Sequence, residues 1–138
     1  MTSITVFGAG SWGTALADHL CRAGHDVVLW CRRAEQARAI NTTGHNPDYL
    51  ADIDLSPGLT ATSDMKEAID LGERFVMAVP TQNVRPFLLT AKGALSARIP
   101  LCNVAKGMEI STGRRISEIV KEILPEVRYT VLSGPSHA

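Results

Sequence analysis

Three glycines, Gly8, Gly10 and Gly13, carry the first chemistry that the sequence offers. They stand in Gly8-Ala9-Gly10-Ser11-Trp12-Gly13, after the strand-like Ile4-Thr5-Val6-Phe7 and before Thr14-Ala15-Leu16-Ala17, which continues with helical spacing. A strand, a glycine-rich turn and a helix start, in that order, form a cradle for a dinucleotide pyrophosphate. The first glycine permits the tight turn, the second lets the backbone approach the phosphates, and the third lets helix and strand pack closely. The phosphates then meet unpaired N–H groups at the positive end of the helix dipole. Three glycines alone can also do no more than punctuate a turn; here both flanking elements accompany them.

A second chemical signal lies one strand further on. Val27-Val28-Leu29-Trp30 is a continuous apolar run of the kind buried on both faces of a parallel sheet, and Cys31-Arg32-Arg33 follows it. The adenosine ribose of a dinucleotide fold is met about 20 residues past the glycines, and Arg32 lies 19 residues after Gly13. NAD sites usually place Asp or Glu there, yet the candidate carboxylate, Glu35, comes only after both arginines. A guanidinium matches a 2′-phosphate and has no use for a bare hydroxyl, so Arg32 and Arg33 predict NADPH in preference to NADH. The other reading is two solvated arginines at a strand end.

The remaining elements must bring these groups to one edge. Residues 11–23 read as the first helix, with Leu16, Leu20 and Ala23 as its sheet-facing stripe. A short helix is expected over 34–40, then a loop over 41–58 whose Tyr49-Leu50 must pack on the domain or on a bound cofactor. Leu59–Thr62 reads as a strand, and Asp64 with Glu67 makes a capping-box-like start for a helix over 65–71. Phe75–Val79 is a strand stopped by Pro80; Thr81 or Asn83 caps the helix bearing Phe87, Leu88, Leu89 and Leu95, with Pro86 in its first turn. Leu101–Ala105 is the fifth strand, Thr112 caps a helix through Leu124, and Tyr129–Leu132 is the sixth strand. Six strands alternating with helices over 138 residues predict one α/β domain, a doubly wound parallel sheet (Rossmann). Ligands of such sheets lie beyond the carboxyl ends of the strands. Gly8-Ala9-Gly10, Arg32-Arg33, Pro80-Thr81, Lys106-Gly107 and Gly134-Pro135-Ser136 all fall at those ends.

Composition narrows the partners. Fourteen basic residues balance fourteen acidic ones, which gives no electrostatic reason to expect nucleic acid or an anionic membrane. No apolar run approaches the roughly 18 residues of a membrane span, so no membrane insertion and a cytoplasmic location are expected. Cys21, Cys31 and Cys102 fit neither a disulfide framework nor a C-x-x-C site, and His19, His25, His45 and His137 have no zinc-ligand spacing with them. No metal is expected.

Together, GAGSWGTALA, the tyrosine of NPDYL, AVPTQNVR, AKGMEISTGR and the terminal LSGPSHA resemble NAD(P)-dependent glycerol-3-phosphate dehydrogenase of the bacterial type, nearly end to end. The resemblance implies reversible hydride transfer between NAD(P)H and dihydroxyacetone phosphate, giving sn-glycerol 3-phosphate for phospholipid synthesis. It also implies cofactor contacts at Ser11, Trp12, Arg32, Arg33, Tyr49 and Ala138, substrate contacts at Gly134 and Ser136, and a lysine, Lys106, facing both. His137 departs from the family pattern, which has an aromatic there. Family members continue into an all-helical second domain that supplies the acid/base lysine. No residue here matches that lysine, so no catalytic residue is assigned. The expectation is the N-terminal domain only, residues 1–138, with the C-terminal helical domain absent. Such a half should be inactive alone and expose an apolar patch near the sixth strand. A homodimer is left open.

Each assignment has a plainer local counterpart: a solvated lysine for Lys106, a core aromatic for Trp12, a loop anchor for Tyr49, a turn hydroxyl for Ser136. Two other functions fit the scaffold, a non-catalytic NADP-binding module and another Rossmann reductase such as a ketopantoate reductase. Lys106-Gly107 and Gly134-Pro135-Ser136 speak against the reductase. A short-chain dehydrogenase is disfavoured because neither Tyr49 nor Tyr129 is followed four residues later by Lys.

Overall fold

Side chains that alternate along the strands build two cores, one on each face of a single sheet. The computed structural model describes residues 1–95 and 99–134. The elements are β1 (Ser3–Phe7), α1 (Ser11–Arg22), β2 (Asp26–Trp30), α2 (Ala34–Thr43), β3 (Thr60–Thr62) and α3 (Met65–Leu71). They continue with β4 (Arg74–Met77), a 3₁₀ turn (Thr81–Asn83), α4 (Val84–Ala91), β5 (Pro100–Asn103), α5 (Ile116–Ile123) and β6 (Arg128–Val131). The strands pair in parallel in the order β3-β2-β1-β4-β5-β6. This is the order of a doubly wound sheet, the class expected, and it reverses direction between β1 and β4.

On one face Ile4, Val6, Val27 and Leu29 pack with Ala17, Ala37 and Ile40 of α1 and α2. On the other, Phe7, Phe75, Met77 and Leu101 pack with Ile69, Leu88, Ile119 and Val120 of α3, α4 and α5. Thr5 is a buried hydroxyl inside β1 and donates to the Ala68 carbonyl at 2.6 Å, which ties α3 to the central strand. Phe7 gathers Phe75, Phe87 and Trp30 around it, with ring centroids 5.1–6.3 Å apart.

Several local expectations are corrected. The most deeply buried residues of α1 are Gly13, Thr14 and Ala17; Leu20 packs against the same core as expected though only partly buried, whereas Leu16 is only partly buried and Ala23 is exposed. Helix and strand approach so closely at Gly13 that only small residues fit between them. β2 and β4 are not covered equally on both faces, since Val28, Trp30 and Val76 are only partly buried. α2 runs on to Thr43, where Gly44 takes a left-handed φ of 71° and its N–H caps Ile40. Asp64 accepts from the N–H groups of Lys66 and Glu67 as a cap should, whereas Glu67 turns to the Thr62 hydroxyl and does not complete the box.

Asn83 occupies the N-cap position of α4, as one of the two expected residues, but its side chain makes no capping bond; the chain enters through the 3₁₀ turn, and the Thr81 hydroxyl donates to the Lys106 carbonyl. α4 ends at Ala91, before Leu95, and Leu89 is exposed. Thr112 is not the cap of α5. Left-handed Gly113 breaks the chain there, and α5 starts at Ile116, with the Glu118 carboxylate accepting from the Arg115 N–H at 2.8 Å. At the β6 edge, Val131 and Leu132 are 55% and 50% exposed. No helix among the described residues is long and apolar enough to cross a membrane.

Candidate functional site

The glycines differ in what they do. Gly8 has φ +110°, and a Cβ there would stand 2.7 Å from the Ala78 carbonyl oxygen. A Cβ on Gly13 would lie 1.9 Å from the Gly8 carbonyl oxygen, so this glycine lets α1 rest on the turn. Gly10 has an ordinary φ of −76° and nothing within 4 Å of a would-be Cβ. Neither backbone conformation nor internal packing asks for glycine at position 10. The space in front of it does, if a ligand is to approach the backbone.

That space lies at the start of α1. The Thr14 N–H donates to the Gly10 carbonyl at 2.9 Å, which leaves the N–H groups of Ser11, Trp12 and Gly13 without intrahelical acceptors. No side chain caps this end, and no acidic residue stands in the first turn. A phosphate is the ligand such an end favours.

The turn is fixed by buried amides. Gln36 Nε2 and Asn46 Nδ2 both donate to the Ala9 carbonyl, at 2.9 and 3.0 Å. Asn46 also donates to Thr14 Oγ1 at 2.8 Å and accepts from Gln36 at 3.1 Å. Asn46 is completely buried. The sequence reading assigned no role to Gln36 or Thr14 and took Asn46-Pro47 as a turn only; no local pattern announces these partners. Asn46→Ala should cost about 1–3 kcal/mol, because it strips a partner from the buried Thr14 hydroxyl. Urea unfolding measures this, and an unchanged midpoint would show the network to be dispensable.

A cleft of about 590 Å³ opens between the glycine turn and the ends of β2 and β4, within the size range of ligand pockets. Gly8, Gly10, Arg32, Arg33 and Tyr49 all line it. Its far wall is Trp30, Met65, Pro86 and Phe87, an apolar surface suited to a flat ring. Those four residues read from sequence as parts of elements and of the core, so this wall went unrecognised. Arg33 pairs with Asp48, whereas Arg32 makes no ion pair among the described residues. Cys31, beneath the arginines, is fully buried, and burial pushes its thiol up to about 12, so it stays a neutral packing group.

Ser11, Trp12, Lys106 and Gly134 stand outside the cleft lining, all exposed. Trp12 is 54% exposed, which rules out the core-aromatic reading. Ser11 and Trp12 sit at the start of α1. Lys106 follows the turn in which buried Asn103 bonds both the N–H and the carbonyl of Ala105 through its amide. Ser136 and Ala138, with Pro135 and His137, lie outside the described residues. Among the described residues no three His, Cys, Asp or Glu side chains come together as a metal site would need.

Comparison with known proteins agrees with this geometry. The family described as NAD-dependent glycerol-3-phosphate dehydrogenase N-terminus matches residues 3–138. The glycerol-3-phosphate dehydrogenase [NAD(P)+] of Rhodospirillum rubrum is 47% identical over 135 residues, covering 98% of this chain and 39% of that protein. The protein of the same name from a Thermoanaerobacter species is 46% identical over 135 residues, with 98% and 40% covered. The crystal structure of glycerol-3-phosphate dehydrogenase from Coxiella burnetii superposes with a TM-score of 0.90 at 30% identity, over 99% of this chain and 42% of that one. The chain thus spans about two-fifths of the length of the curated relatives it matches. With a glycine turn before a helix N-terminus, a cleft at the sheet's switch point and this similarity from one end to the other, the chain belongs to the NAD-dependent glycerol-3-phosphate dehydrogenase family, in its N-terminal part.

Proposed function

We propose that this chain is the NADPH-binding half of a glycerol-3-phosphate dehydrogenase that interconverts dihydroxyacetone phosphate and sn-glycerol 3-phosphate. The observation that carries the reading is Gly10, a glycine with no internal cause, facing open space before an uncapped helix N-terminus. In this reading the α1 N–H groups and the glycine backbone hold the pyrophosphate. The apolar wall takes the adenine, Tyr49 closes the cleft from its loop, Trp12 touches the cofactor from outside the cleft, and Ala138 contacts it as the resemblance implies. The bound cofactor supplies or takes up a hydride. Lys106, Gly134 and Ser136 meet the substrate, and the Lys106 ammonium stabilises negative charge growing on the carbonyl oxygen. Proton transfer belongs to the part of the relatives that this chain does not match. A cytoplasmic enzyme feeding phospholipid synthesis is the setting we infer.

Preference for NADPH rests on Arg32 more than on Arg33. Arg32 is exposed at the cleft and makes no ion pair among the described residues, whereas Arg33 must leave or share Asp48 to reach a 2′-phosphate. A charge-assisted bond to that phosphate is worth about 1.5–3 kcal/mol, or roughly 10- to 150-fold in affinity. Fluorescence titration of NADPH and NADH into wild type, Arg32→Ala and Arg33→Ala tests this. Wild type should favour NADPH, Arg32→Ala should lose most of the preference, and Arg33→Ala should lose less. Equal wild-type affinities for the two cofactors would defeat the assignment.

A further inference from the structure

The segment between β5 and α5, residues 104–115, includes Lys106-Gly107 and contains no helix or strand. It closes on itself through Met108 and Arg115, which form an isolated bridge, and through the Glu109 N–H donating to the Arg114 carbonyl at 2.9 Å. Three side chains from one short stretch, Thr81 to Arg85, fasten it to the body of the domain. The Thr81 hydroxyl donates to the Lys106 carbonyl. Gln82 donates to the Met108 carbonyl at 2.9 Å and accepts from the Ile110 N–H at 2.9 Å. The Arg85 guanidinium grips Glu109 with two parallel bonds of 2.8 and 3.0 Å. Arg85 also reaches Glu122 of α5 at 2.7 Å, so the loop is braced from two helices.

Burial in this loop runs against hydrophobic patterning. Glu109 is only 6% exposed, while its apolar neighbours Met108 and Ile110 are 57% and 84% exposed. A carboxylate withdrawn from water is a poor choice for stability alone, since apolar side chains of similar volume often hold as well or better. A forked arginine–carboxylate pair offers fixed geometry in two directions, which apolar contacts do not. Glu109 also accepts from the Thr112 hydroxyl, so both oxygens are engaged and the turn has one register.

We propose that the Arg85–Glu109 pair is a positioning device for Lys106, holding the turn so that the ammonium reaches the substrate carbonyl. This rests on the reading of Lys106 given above. Neither member of the pair needs to touch substrate or cofactor. Displacing a charge-stabilising group by a fraction of its bond length is costly in rate, because the group must meet the reacting oxygen in the transition state.

The test is a double-mutant cycle in the complete enzyme carrying this chain, with Glu109→Gln made alone and together with Lys106→Ala. Glu109→Gln keeps the volume and one acceptor. It should lower kcat/KM for dihydroxyacetone phosphate by about tenfold or more, chiefly through kcat, with the Kd for NADPH changed by less than about twofold. In the Lys106→Ala background the same change should have almost no further effect, because there is no ammonium left to position. Gln82→Ala runs the same cycle without disturbing the buried carboxylate, should Glu109→Gln fail to fold. A loss that multiplies in full on top of Lys106→Ala, or a matching loss of NADPH affinity, overturns the proposal, as does a normal Glu109→Gln enzyme beside a crippled Lys106→Ala one. A Lys106→Ala enzyme of wild-type activity overturns instead the reading of Lys106 on which the proposal stands.

Discussion

Gly10→Ala and Gly13→Ala are expected to fail in opposite ways although the residues are three apart. At Gly13 the new methyl group would stand 1.9 Å from the Gly8 carbonyl oxygen, which is backbone and cannot swing aside. β1 and α1 would have to separate, and the loss of stability should reach or exceed the roughly 3 kcal/mol at the upper end of overpacking effects. At Gly10 the methyl group meets nothing, and φ of −76° suits alanine. The remaining cost is that of exchanging glycine for alanine at a helix N-cap, about 1 kcal/mol. The methyl group would project toward the phosphates, and NADPH affinity should fall at least about tenfold, or about 1.4 kcal/mol. Urea unfolding and cofactor titration on the two variants separate the effects. A Gly10→Ala protein that binds NADPH as wild type does would remove the phosphate site from this turn.

Lys106→Ala should have the largest effect on the reaction. In the complete enzyme, kcat/KM for dihydroxyacetone phosphate should fall by roughly 10²-fold, the typical loss when one group stabilising a developing oxyanion is removed. NADPH affinity should change far less, because Lys106 stands outside the cleft that the glycines and Arg32 line. Within this division of roles, residues 1–138 alone should bind NADPH yet reduce dihydroxyacetone phosphate negligibly. Steady-state kinetics beside cofactor titration checks both halves. Normal turnover by Lys106→Ala, or robust turnover by residues 1–138 alone, would contradict the assignment.

Legibility followed sequence distance. Where the cause of an element lies within a few residues, the reading was close: α3 begins after Asp64 and spans Met65–Leu71 as expected, and the glycine turn sits between β1 and α1 as expected. The doubly wound parallel class was also legible, because strands alternating with helices leave few other arrangements, whereas the order of the strands came from the structure. Boundaries also failed at short range, where a nearby side chain competed for the capping group. Thr112 looks like a cap locally, but its hydroxyl is taken by Glu109 and left-handed Gly113 follows it. The cleft wall was hidden for a related reason. Phe87 packs in the core through one part of its ring and borders the cleft with another, and periodicity reports only burial. Gln36 and Asn46 were opaque because their acceptor, the Ala9 carbonyl, is 27 and 37 residues away in sequence.

The doubly held Ala9 carbonyl has a thermodynamic consequence. Gln36 and Asn46 fix the turn through bonds made within the chain itself, so on the proposed function the conformational entropy of ordering the cradle is lost during folding and not again on binding. Preorganisation of this kind moves a cost from affinity to stability. It also joins α2 and the loop bearing Tyr49 to the cradle as one mechanical unit. On the proposed function, a substitution that shifts either of them would be felt at the pyrophosphate, even where it touches no ligand.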